Sequence, residues 1–416
     1  MALEGRRVLF ISYNGMLDPL GQSQVIPYLR ELSKHGARFT LLSFERPHAL
    51  KAQGLARCEA LRQELAAENI EWHWMRYHQN PSVPATVYDV LAGTRCAIKL
   101  VKKNQIEMVH ARSHIPATIA LPLKRRFGVK MIFDLRGLMA DEYVDAEHWR
   151  ENSVPYRITK SVERRALAAA DGIVTLTEKI WPIIKDWEGL RNHEVVHEVV
   201  PCCADLDLFK FSEQARQTKR MELGLSADCR VLVYSGSIGG WYLTDKMADL
   251  FAQITSTRSS WHFLWLTTGP TELITKLMSD RRLSTDQYTI ERVAPAEVPS
   301  YLAAADAAIA FYKPALSRLA TSPVKVTEYL ACGLPIIINA GIGDSDALVT
   351  QEKVGALVGD FEVSDYAKAL TLIEGLVREA EQTRRKAREV AERLFDLRTV
   401  GIERYARLYE KVLGAS

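Results

Sequence analysis

The alternation of short apolar runs with longer helical stretches constrains the fold more than any other feature of this sequence. Thirteen runs rich in β-branched and aromatic residues recur along the chain, from RVLFIS at Arg7 to VGALV at Val354. Apolar runs separated by helix-length segments are typical of parallel sheets covered by helices on both faces. Because the pattern begins again near Cys229, it predicts two doubly wound α/β domains in tandem.

The chain length agrees with this organisation, since 416 residues fit two domains of about 200 residues each. We place an N-terminal domain at residues 1–205 and a C-terminal domain at residues 206–395. An amphipathic helix at 396–416 is expected to pack back on the N-terminal domain. Ligands of doubly wound sheets bind at the carboxyl ends of the strands, so a cleft between two facing domains is the expected site.

Composition excludes several classes of protein. The content of 47% apolar and 25% charged residues is typical of a soluble globular enzyme. A net charge of +3 is too small to indicate a nucleic acid as the main partner. None of the six cysteines lies in a C-x-x-C pair, so neither a zinc site nor a disulfide framework is indicated. The first apolar run is too short for a signal peptide, and we expect a cytoplasmic protein.

The stretch TSPVKVTEYLACGLPIIIN, from Thr321 to Asn339, has the features of an anion site. Ser322 fits the N-cap of a helix, and Pro323 fits its first position. Lys325 and Glu328 then lie on one face of the helix. A lysine beside the free N–H groups of a helix N-terminus favours a bound anion, with Glu328 in reach of whatever carries it. A solvated Lys–Glu pair of little energetic value is the alternative interpretation.

Glycine turns follow the strands of the second half. Gly236, Ser237 and Gly239 come directly after RVLVYS, and glycines at such a place let backbone N–H groups approach a phosphate. Their spacing is not G-x-G-x-x-G, so a dinucleotide site is not supported. Gly269 ends the next strand, and the loop at Val293 is a candidate for contacts with a base edge. An ordinary turn remains the alternative at each position.

These features together resemble the C-terminal domain of family-4 glycosyltransferases, which have the two-domain GT-B fold. The match is to the pattern P-x-K-x-x-E-Y-x-A-x-G-x-P, here Pro323 to Pro335. The segments YSGSIGGWYLTD and EVPSYLAAAD also look like family segments in the right order, so the resemblance spans essentially the whole chain. It implies that Glu328 holds the ribose hydroxyls of a nucleotide-sugar, that Lys325 neutralises its diphosphate, and that no metal or other cofactor takes part.

Two departures from the family pattern concern the donor site. Ala320 stands where the family often has a second Glu, which touches the donor sugar, and Ser237 stands where many members have an Arg. Lys325 is therefore expected to carry more of the phosphate charge. The donor-binding residues predicted from the motif and the glycine loops are Gly21, Gln22, Gly236, Ser237, Gly239, Gly269, Val293, Ser322, Pro323, Lys325 and Glu328.

The N-terminal half supplies the remaining candidates. In the loop after the first strand, Gly21-Gln22 is expected to open a helix that Ser23 helps to cap, and Leu20-Gly21 takes the place of a Gly-Gly pair of the family. Asp18 in this loop is either an acceptor contact or a turn residue. Arg136 takes the place of a family His and can bind a phosphate or carboxylate bidentately, or it can pair with an aspartate, Asp134 or Asp141. The predicted catalytic residues are Lys325, Glu328, Arg136 and Asp18.

The sequence thus predicts a retaining, metal-independent hexosyltransferase. Its expected donor is a UDP- or GDP-sugar, and its expected acceptor is a hydroxyl of a glycan or of a polyprenyl-diphosphate-linked molecule in bacterial cell-surface polysaccharide synthesis. A nucleotide-sugar epimerase on the same fold and a non-catalytic nucleotide-sugar-binding subunit are the alternatives. The basic runs KLVKKNQ and LPLKRRFGVK suit peripheral docking of the N-terminal domain at the inner face of the plasma membrane, although solvated helix faces also carry such runs.

Overall fold

A computed structural model describes residues 3–191, 194–257 and 260–414 of the chain. It divides into two compact units. Unit 1 runs to Pro201 and takes in the C-terminal segment from Leu397 onward, and unit 2 is Cys202–Asp396. Every one of the thirteen predicted apolar runs contains a strand, and helices separate the strands, so the predicted α/β class is confirmed.

The strands are numbered in chain order: β1 (Arg7–Ser12), β2 (Arg38–Glu45), β3 (Ile70–Arg76), β4 (Met108–Arg112), β5 (Lys130–Asp134), β6 (Gly172–Thr175), β7 (Val196–Val199), β8 (Arg230–Ser235), β9 (Trp261–Leu266), β10 (Tyr288–Glu291), β11 (Ala307–Ala310), β12 (Ile336–Asn339) and β13 (Gly355–Val358). The α-helices are α1 (Pro19–Gln24), α2 (Ile26–Lys34), α3 (Ala52–Ala67), α4 (Ser82–Lys103), α5 (His114–Phe127), α6 (Met139–Asp145), α7 (Val154–Ala169), α8 (Trp181–Ile184), α9 (Glu213–Glu222), α10 (Thr244–Thr257), α11 (Thr271–Asp280), α12 (Val298–Ala304), α13 (Val324–Ala331), α14 (Ser345–Glu352), α15 (Val363–Arg378), α16 (Ala380–Phe395) and α17 (Glu403–Gly414).

Unit 1 is built on a parallel sheet of seven strands in the order β3-β2-β1-β4-β5-β6-β7. The interior strand β1 pairs with β2 through Val8↔Phe39 and with β4 through Val8↔Met108. All three of these side chains are buried, because a strand covered by helices on both faces is apolar along its length.

The C-terminal segment belongs to unit 1. After a π-helical turn at Leu397–Ile402, helix α17 packs on the sheet. The hydroxyl of Tyr405 donates to Asp134 Oδ2 at 2.9 Å, and that of Tyr409 lies 2.7 Å from His110 Nδ1. Residues at the far end of the chain therefore complete the polar interior beside β4 and β5.

Unit 2 has a six-stranded parallel sheet in the order β10-β9-β8-β11-β12-β13. Successive residues of β8 enter different apolar clusters, with Val231 and Val233 on one face and Leu232 and Tyr234 on the other. This alternation follows from the period of two along a strand. The chain leaves β8 toward one sheet edge and returns on its other side at β11. Such a reversal marks the place where doubly wound sheets bind ligands, beyond the carboxyl ends of the two strands.

In the part of the chain that the structure describes, none of the helices combines the length and the apolar character needed to cross a bilayer.

Candidate functional site

Lys325 lies in a cage of tyrosines at the reversal point of unit 2. Its Nζ donates to Tyr234 Oη at 3.0 Å and lies 3.8 Å from the ring centroid of Tyr242 and 5.8 Å from that of Tyr312. The lysine is only 8% exposed, and among the described residues no carboxylate reaches it within salt-bridge distance. Aromatic faces attract a cation without neutralising it, so the ammonium keeps its capacity for an anion.

The glycine loop after β8 closes on this ammonium. A Cβ atom at Gly236 would stand 2.6 Å from Lys325 Nζ, and the residue has a φ of +141°, which favours glycine. Tyr234 Oη, which accepts from Lys325, donates in turn to the carbonyl of Ser237. The structure thus brings together Gly236, Ser237 and Lys325, which the sequence placed in one site from segments almost ninety positions apart.

Further along the loop, some backbone N–H groups have a hydrogen-bond acceptor and others have none among the described residues. Gly239 N–H donates to Thr244 Oγ1 at 2.9 Å, so it is already committed within the loop. The N–H groups of Ser237 and Ile238 have no acceptor among the described residues. Gly269 packs against this loop, since a Cβ there would lie 2.8 Å from the side chain of Ile238. Two unpaired amides beside a buried cation are a suitable environment for phosphate oxygens.

Burial shifts the pKa of both charged residues of helix α13. It lowers the pKa of Lys325 to about 7, although the charge of Glu328 acts in the opposite direction. It raises the pKa of Glu328 to about 7, with Lys325 opposing the shift. Part of the Glu328 side chain remains accessible to solvent. The physical cause is the loss of hydration of each charge, and an anion bound beside Lys325 would reverse the shift of the lysine.

The start of helix α13 differs from the prediction. The N-cap position is Pro323, and Ser322 makes no capping hydrogen bond. Instead, the hydroxyl of Ser322 accepts from the backbone N–H of Cys202 at 3.1 Å, while Thr327 Oγ1 donates to the carbonyl of Cys202 at 2.9 Å. The expected Ser322 cap is therefore wrong, because the first residue of unit 2 competes for that hydroxyl. The first N–H groups of the helix are left without a side-chain cap.

Val293, the predicted contact for a base edge, follows β10 in the chain. Its partly buried side chain packs against the apolar core on one face of the unit 2 sheet. Any donor contact made there would come from the backbone, and its role stays a prediction.

Sequence reasoning missed four residues of the cluster. Tyr234, Tyr242 and Tyr312 surround the lysine, and Arg318 lies with its guanidinium carbon 5.2 Å from the ring centroid of Trp241. Arg318 is 4% exposed, and its Nε and Nη2 atoms are buried without a hydrogen-bond partner. Their only sequence signal is position, since each follows or ends β8 or β11, the two strands that flank the reversal point.

In unit 1, the loop after β1 is held tightly. A Cβ on Gly21 would stand 2.2 Å from the carbonyl oxygen of Gly15, and Gln22 Nε2 donates to Met16 O at 2.5 Å. Helix α1 begins at Pro19, with Asp18 at its N-cap position but without a capping hydrogen bond. The start expected at Gly21-Gln22 is therefore wrong by two residues, because Pro19 is suited to the first turn.

The remaining candidates of unit 1 already have partners. Ser23 was expected to help cap helix α1, but its hydroxyl donates to the carbonyl of Pro19, so this expectation is wrong. Asp18 Oδ2 accepts from Arg46 Nε at 3.1 Å, on the protein surface. The structure brings Asp18 close to Gly15, whose Cβ position lies 3.3 Å from the same oxygen.

Arg136 stands beyond the end of β5 in a left-handed conformation, with φ of +57°. Its Nη1 lies 3.9 Å from Asp134 Oδ1, and His110 Nε2 lies 3.4 Å from Asp134 Oδ2. Burial acts to raise the pKa of Asp134, but Arg136 and His110 hold it below its ordinary value. The pairing with Asp134 that the sequence left open is thus present, and Arg136 lies at the edge of a polar network that α17 completes.

Within the described residues, no group of three or more His, Cys, Asp or Glu side chains is arranged to hold a metal ion. The D-S-D triplet at Asp344 begins helix α14, where Asp346 Oδ1 accepts from Gly341 N–H at 2.9 Å.

Comparison with known proteins adds two family matches. The model described as glycosyl transferases group 1 matches residues 229–373, and the model described as glycosyltransferase family 4 matches residues 23–208. The first range contains the tyrosine cage and Lys325, and the second contains strands β2 to β7 and Arg136. No curated protein matches the chain in sequence.

Solved structures with the same architecture are numerous. Sucrose-phosphate synthase from Thermosynechococcus elongatus superposes with a TM-score of 0.74 at 16% identity, over 99% of this chain and 100% of that one. Anabaena HepE in complex with UDP and glucose gives 0.68 at 13% identity, over 97% and 99%. WaaG, a glycosyltransferase involved in lipopolysaccharide biosynthesis, gives 0.68 at 13% identity, over 98% and 100%. Identities this low show a shared fold and nothing further.

Proposed function

The chain belongs to the family-4 glycosyltransferases of the GT-B fold, and we propose that it catalyses retaining, metal-independent transfer of a hexosyl group from a UDP- or GDP-sugar. The acceptor we propose is a hydroxyl of a glycan or of a polyprenyl-diphosphate-linked molecule in bacterial cell-surface polysaccharide synthesis. The observation that carries the donor assignment is Lys325, a buried cation without a carboxylate partner in the described residues, at the reversal point of the unit 2 sheet.

A diphosphate satisfies what this cluster lacks. It would restore the charge balance of Lys325, accept from the unpaired N–H groups of Ser237 and Ile238, and lie near the uncapped start of helix α13. Helix N-termini favour anions because their N–H groups and dipole point at the ligand. HepE, which shares the fold, has been solved with UDP and with UDP-glucose, and this supports a nucleotide-sugar as donor.

Glu328 is placed to select a nucleotide. It lies one turn beyond Lys325 on the same helix, and part of its side chain is accessible. A carboxylate accepts hydrogen bonds from both ribose hydroxyls, which inorganic diphosphate lacks. Its raised pKa means that ribose binding would favour the ionised form and lower that pKa again.

The chemical problem in the transfer is the negative charge that develops on the departing diphosphate. We propose that Lys325 and the amides of the 236–240 loop stabilise this charge. For retention, the acceptor oxygen would bond to the anomeric carbon on the face that the phosphate leaves, and its proton would pass to the departing phosphate oxygen. Asp18 and Arg136 of unit 1 are our candidates for orienting the acceptor.

We also propose that unit 1 docks on an anionic lipid surface through helix α4. Val83, Val87, Tyr88 and Leu91, in its first half, are 48–59% exposed. Arg95, Lys99 and Lys102, in its second half, are exposed too. Apolar side chains that enter the lipid interface, followed by cations for its headgroups, suit reversible membrane binding. Sedimentation with vesicles tests this: binding should need phosphatidylglycerol and weaken in Leu91→Gln. Equal binding to neutral vesicles would contradict it.

The donor assignment is tested by thermal unfolding with UDP, GDP, ADP, dTDP and their sugars. A ligand at a hundred times its dissociation constant adds about 2.7 kcal/mol of stability, which is easily seen. Lys325→Ala should lower turnover, read as sugar transfer or donor hydrolysis, by at least ~100-fold, the scale of one lost transition-state donor. The matched control is Lys368→Ala, on an exposed lysine of the same unit, and it should leave turnover unchanged.

Unchanged turnover in Lys325→Ala would refute the catalytic role of the lysine. Tight nucleotide-sugar binding with no turnover, across a panel of sugars and acceptors, would instead favour a non-catalytic binding subunit.

A further inference from the structure

The segment between β11 and α13 contains a group of buried polar atoms without partners. They are Nε and Nη2 of Arg318, Oη of Tyr312 and Oγ1 of Thr321. Buried polar groups are hydrogen-bonded in most proteins, so a cluster of exceptions needs a cause. Each of these atoms can donate a hydrogen bond, and a guanidinium can only donate. A ligand with several hydrogen-bond acceptors would satisfy all of them.

Arg318 is held in place. Its N–H donates to Ala315 O at 3.0 Å, and its carbonyl accepts from Thr321 N–H at 3.0 Å and from Gly343 N–H at 2.9 Å. The backbone is thus fixed by three hydrogen bonds, and the guanidinium rests on the ring of Trp241. In the part of the chain that the structure describes, no carboxylate lies within salt-bridge distance of it. Burying a cation without a counter-charge is unfavourable.

Arg318 and Lys325 belong to one cluster. The ring of Tyr242, which lies 3.8 Å from Lys325 Nζ, is 5.2 Å from the ring of Tyr312. Burial raises the pKa of both tyrosines, and in both the charge of Arg318 acts against the shift. Arg318 and Lys325, two cations without a carboxylate partner among the described residues, therefore lie near the same tyrosines, and a single anionic ligand would balance the charge of both.

We propose that Arg318 is the second cation of the diphosphate site, acting beside Lys325, and that Tyr312 Oη donates to the same ligand. This inference rests on the proposed function. A guanidinium presents two parallel N–H groups to phosphate oxygens, which a single ammonium cannot do. The pair therefore suits a diphosphate better than a monophosphate.

Entry of the ligand requires a movement, since Arg318 Nε and Nη2 are buried in the free protein. Trp241, which covers the guanidinium, ends the loop that contains Gly239 and Gly240. Both glycines have positive φ values, +69° and +60°, in the region that glycine enters without strain. A shift of this loop would uncover the guanidinium and carry the unpaired N–H groups of Ser237 and Ile238 toward the same phosphate.

The test is calorimetric titration of the full chain with UDP, or GDP if the wild type prefers it, and with the parent nucleoside. Arg318→Met should weaken diphosphate binding about 10- to 100-fold, the range for hydrogen bonds to a charged group. Tyr312→Phe, which removes one unpaired oxygen, should weaken it severalfold. Neither change should alter nucleoside binding, and neither should lower the melting temperature of the free protein. The control is Tyr234→Phe. The hydroxyl of Tyr234 is already bonded to Lys325 and Ser237, so its removal should lower the melting temperature.

The outcomes separate this inference from the proposed function. If the wild type binds no nucleoside diphosphate, the proposed function fails. If the wild type binds a nucleoside diphosphate, two results would overturn the role of Arg318 and leave the donor site standing. In the first, Arg318→Met binds the diphosphate with an affinity within twofold of the wild type; in the second, it loses affinity for the nucleoside as much as for the diphosphate. Should Arg318→Met not fold, Arg318→Gln is titrated instead, and the same limits decide.

Discussion

The shifted pKa of Lys325 makes nucleotide binding dependent on pH in a defined direction. In the free protein burial holds this pKa at about 7, so the ammonium is charged below that pH and loses its proton above it. A diphosphate binds the charged form and raises the pKa toward the ordinary value of about 10.4. Lys325 therefore takes up a proton on binding. Glu328, whose pKa ribose binding would lower, releases one near pH 7, so net proton uptake and a fall in affinity develop as the pH rises above 7.

The magnitude follows from the two pKa values. With a pKa of about 7, half of the lysine is charged at pH 7 and roughly one part in a hundred at pH 9. Ionisation of Glu328, about half complete at pH 7, offsets about twofold of the change. If the bound lysine stays charged throughout, the loss of its charge in the free protein alone raises the dissociation constant of UDP by about 50-fold between these two pH values. That factor corresponds to about 2.3 kcal/mol.

Calorimetry at half-unit steps from pH 6 to pH 9, in buffers of different ionisation enthalpy, measures both the affinity and the proton uptake. Lys325→Met is the control, since it keeps Glu328, whose pKa of about 7 lies in the same window. The variant should bind UDP weakly at pH 7 and show only the dependence that Glu328 brings. A wild-type affinity that stays constant from pH 7 to pH 9, with no proton taken up, would refute the reasoning.

Three glycine substitutions test the packing beside Lys325, the packing of the loop after β1, and a glycine inside helix α15 that has open space around it. Gly236→Ala would place a Cβ 2.6 Å from Lys325 Nζ and should weaken UDP binding at least tenfold in calorimetry; unaltered affinity would show that the ammonium is not fixed there. Gly21→Ala would put a Cβ 2.2 Å from the carbonyl oxygen of Gly15, so urea unfolding should show a loss of about 2 kcal/mol, in the range of overpacking. Gly375→Ala, inside α15 with nothing within 4 Å of its Cβ position, should instead gain about 0.5–1 kcal/mol, and a loss would mean that this helix is strained.

The sequence predicted those parts of the molecule that local patterns determine. The apolar runs predicted every strand of the described sheets. The inner strands are apolar because they are buried on both faces, whereas the edge strands β7 and β10 are only partly buried. The placement of Lys325 and Glu328 on one helix face also followed from spacing alone. Their roles in donor binding and catalysis remain predictions, as do those of Asp18 and Arg136.

What the sequence did not predict depends on strand order. Tyr234, Tyr242 and Tyr312 come from three segments and meet only because β11 lies beside β8 in the sheet. Arg318 sits in a 3₁₀ turn, without a periodic pattern that would mark it. Local spacing predicts that the Ser322 hydroxyl caps helix α13, but this hydroxyl accepts instead from the backbone N–H of Cys202, 120 positions earlier. Long-range competition of this kind has no signature in a short window.

The place of helix α17 in unit 1 has a consequence for biosynthesis. Strands β4 and β5 are synthesised early, whereas Tyr409, the partner of His110, is synthesised 299 residues after it. All of unit 2 is therefore translated while the polar interior beside Asp134 still lacks its last covering, and N-terminal domains ordinarily fold first during synthesis. Nascent chains that end before residue 403 would leave the imidazole of His110 and the carboxylate of Asp134 open to water. Unit 1 therefore completes its polar interior only after helix α17, Glu403–Gly414, has been synthesised.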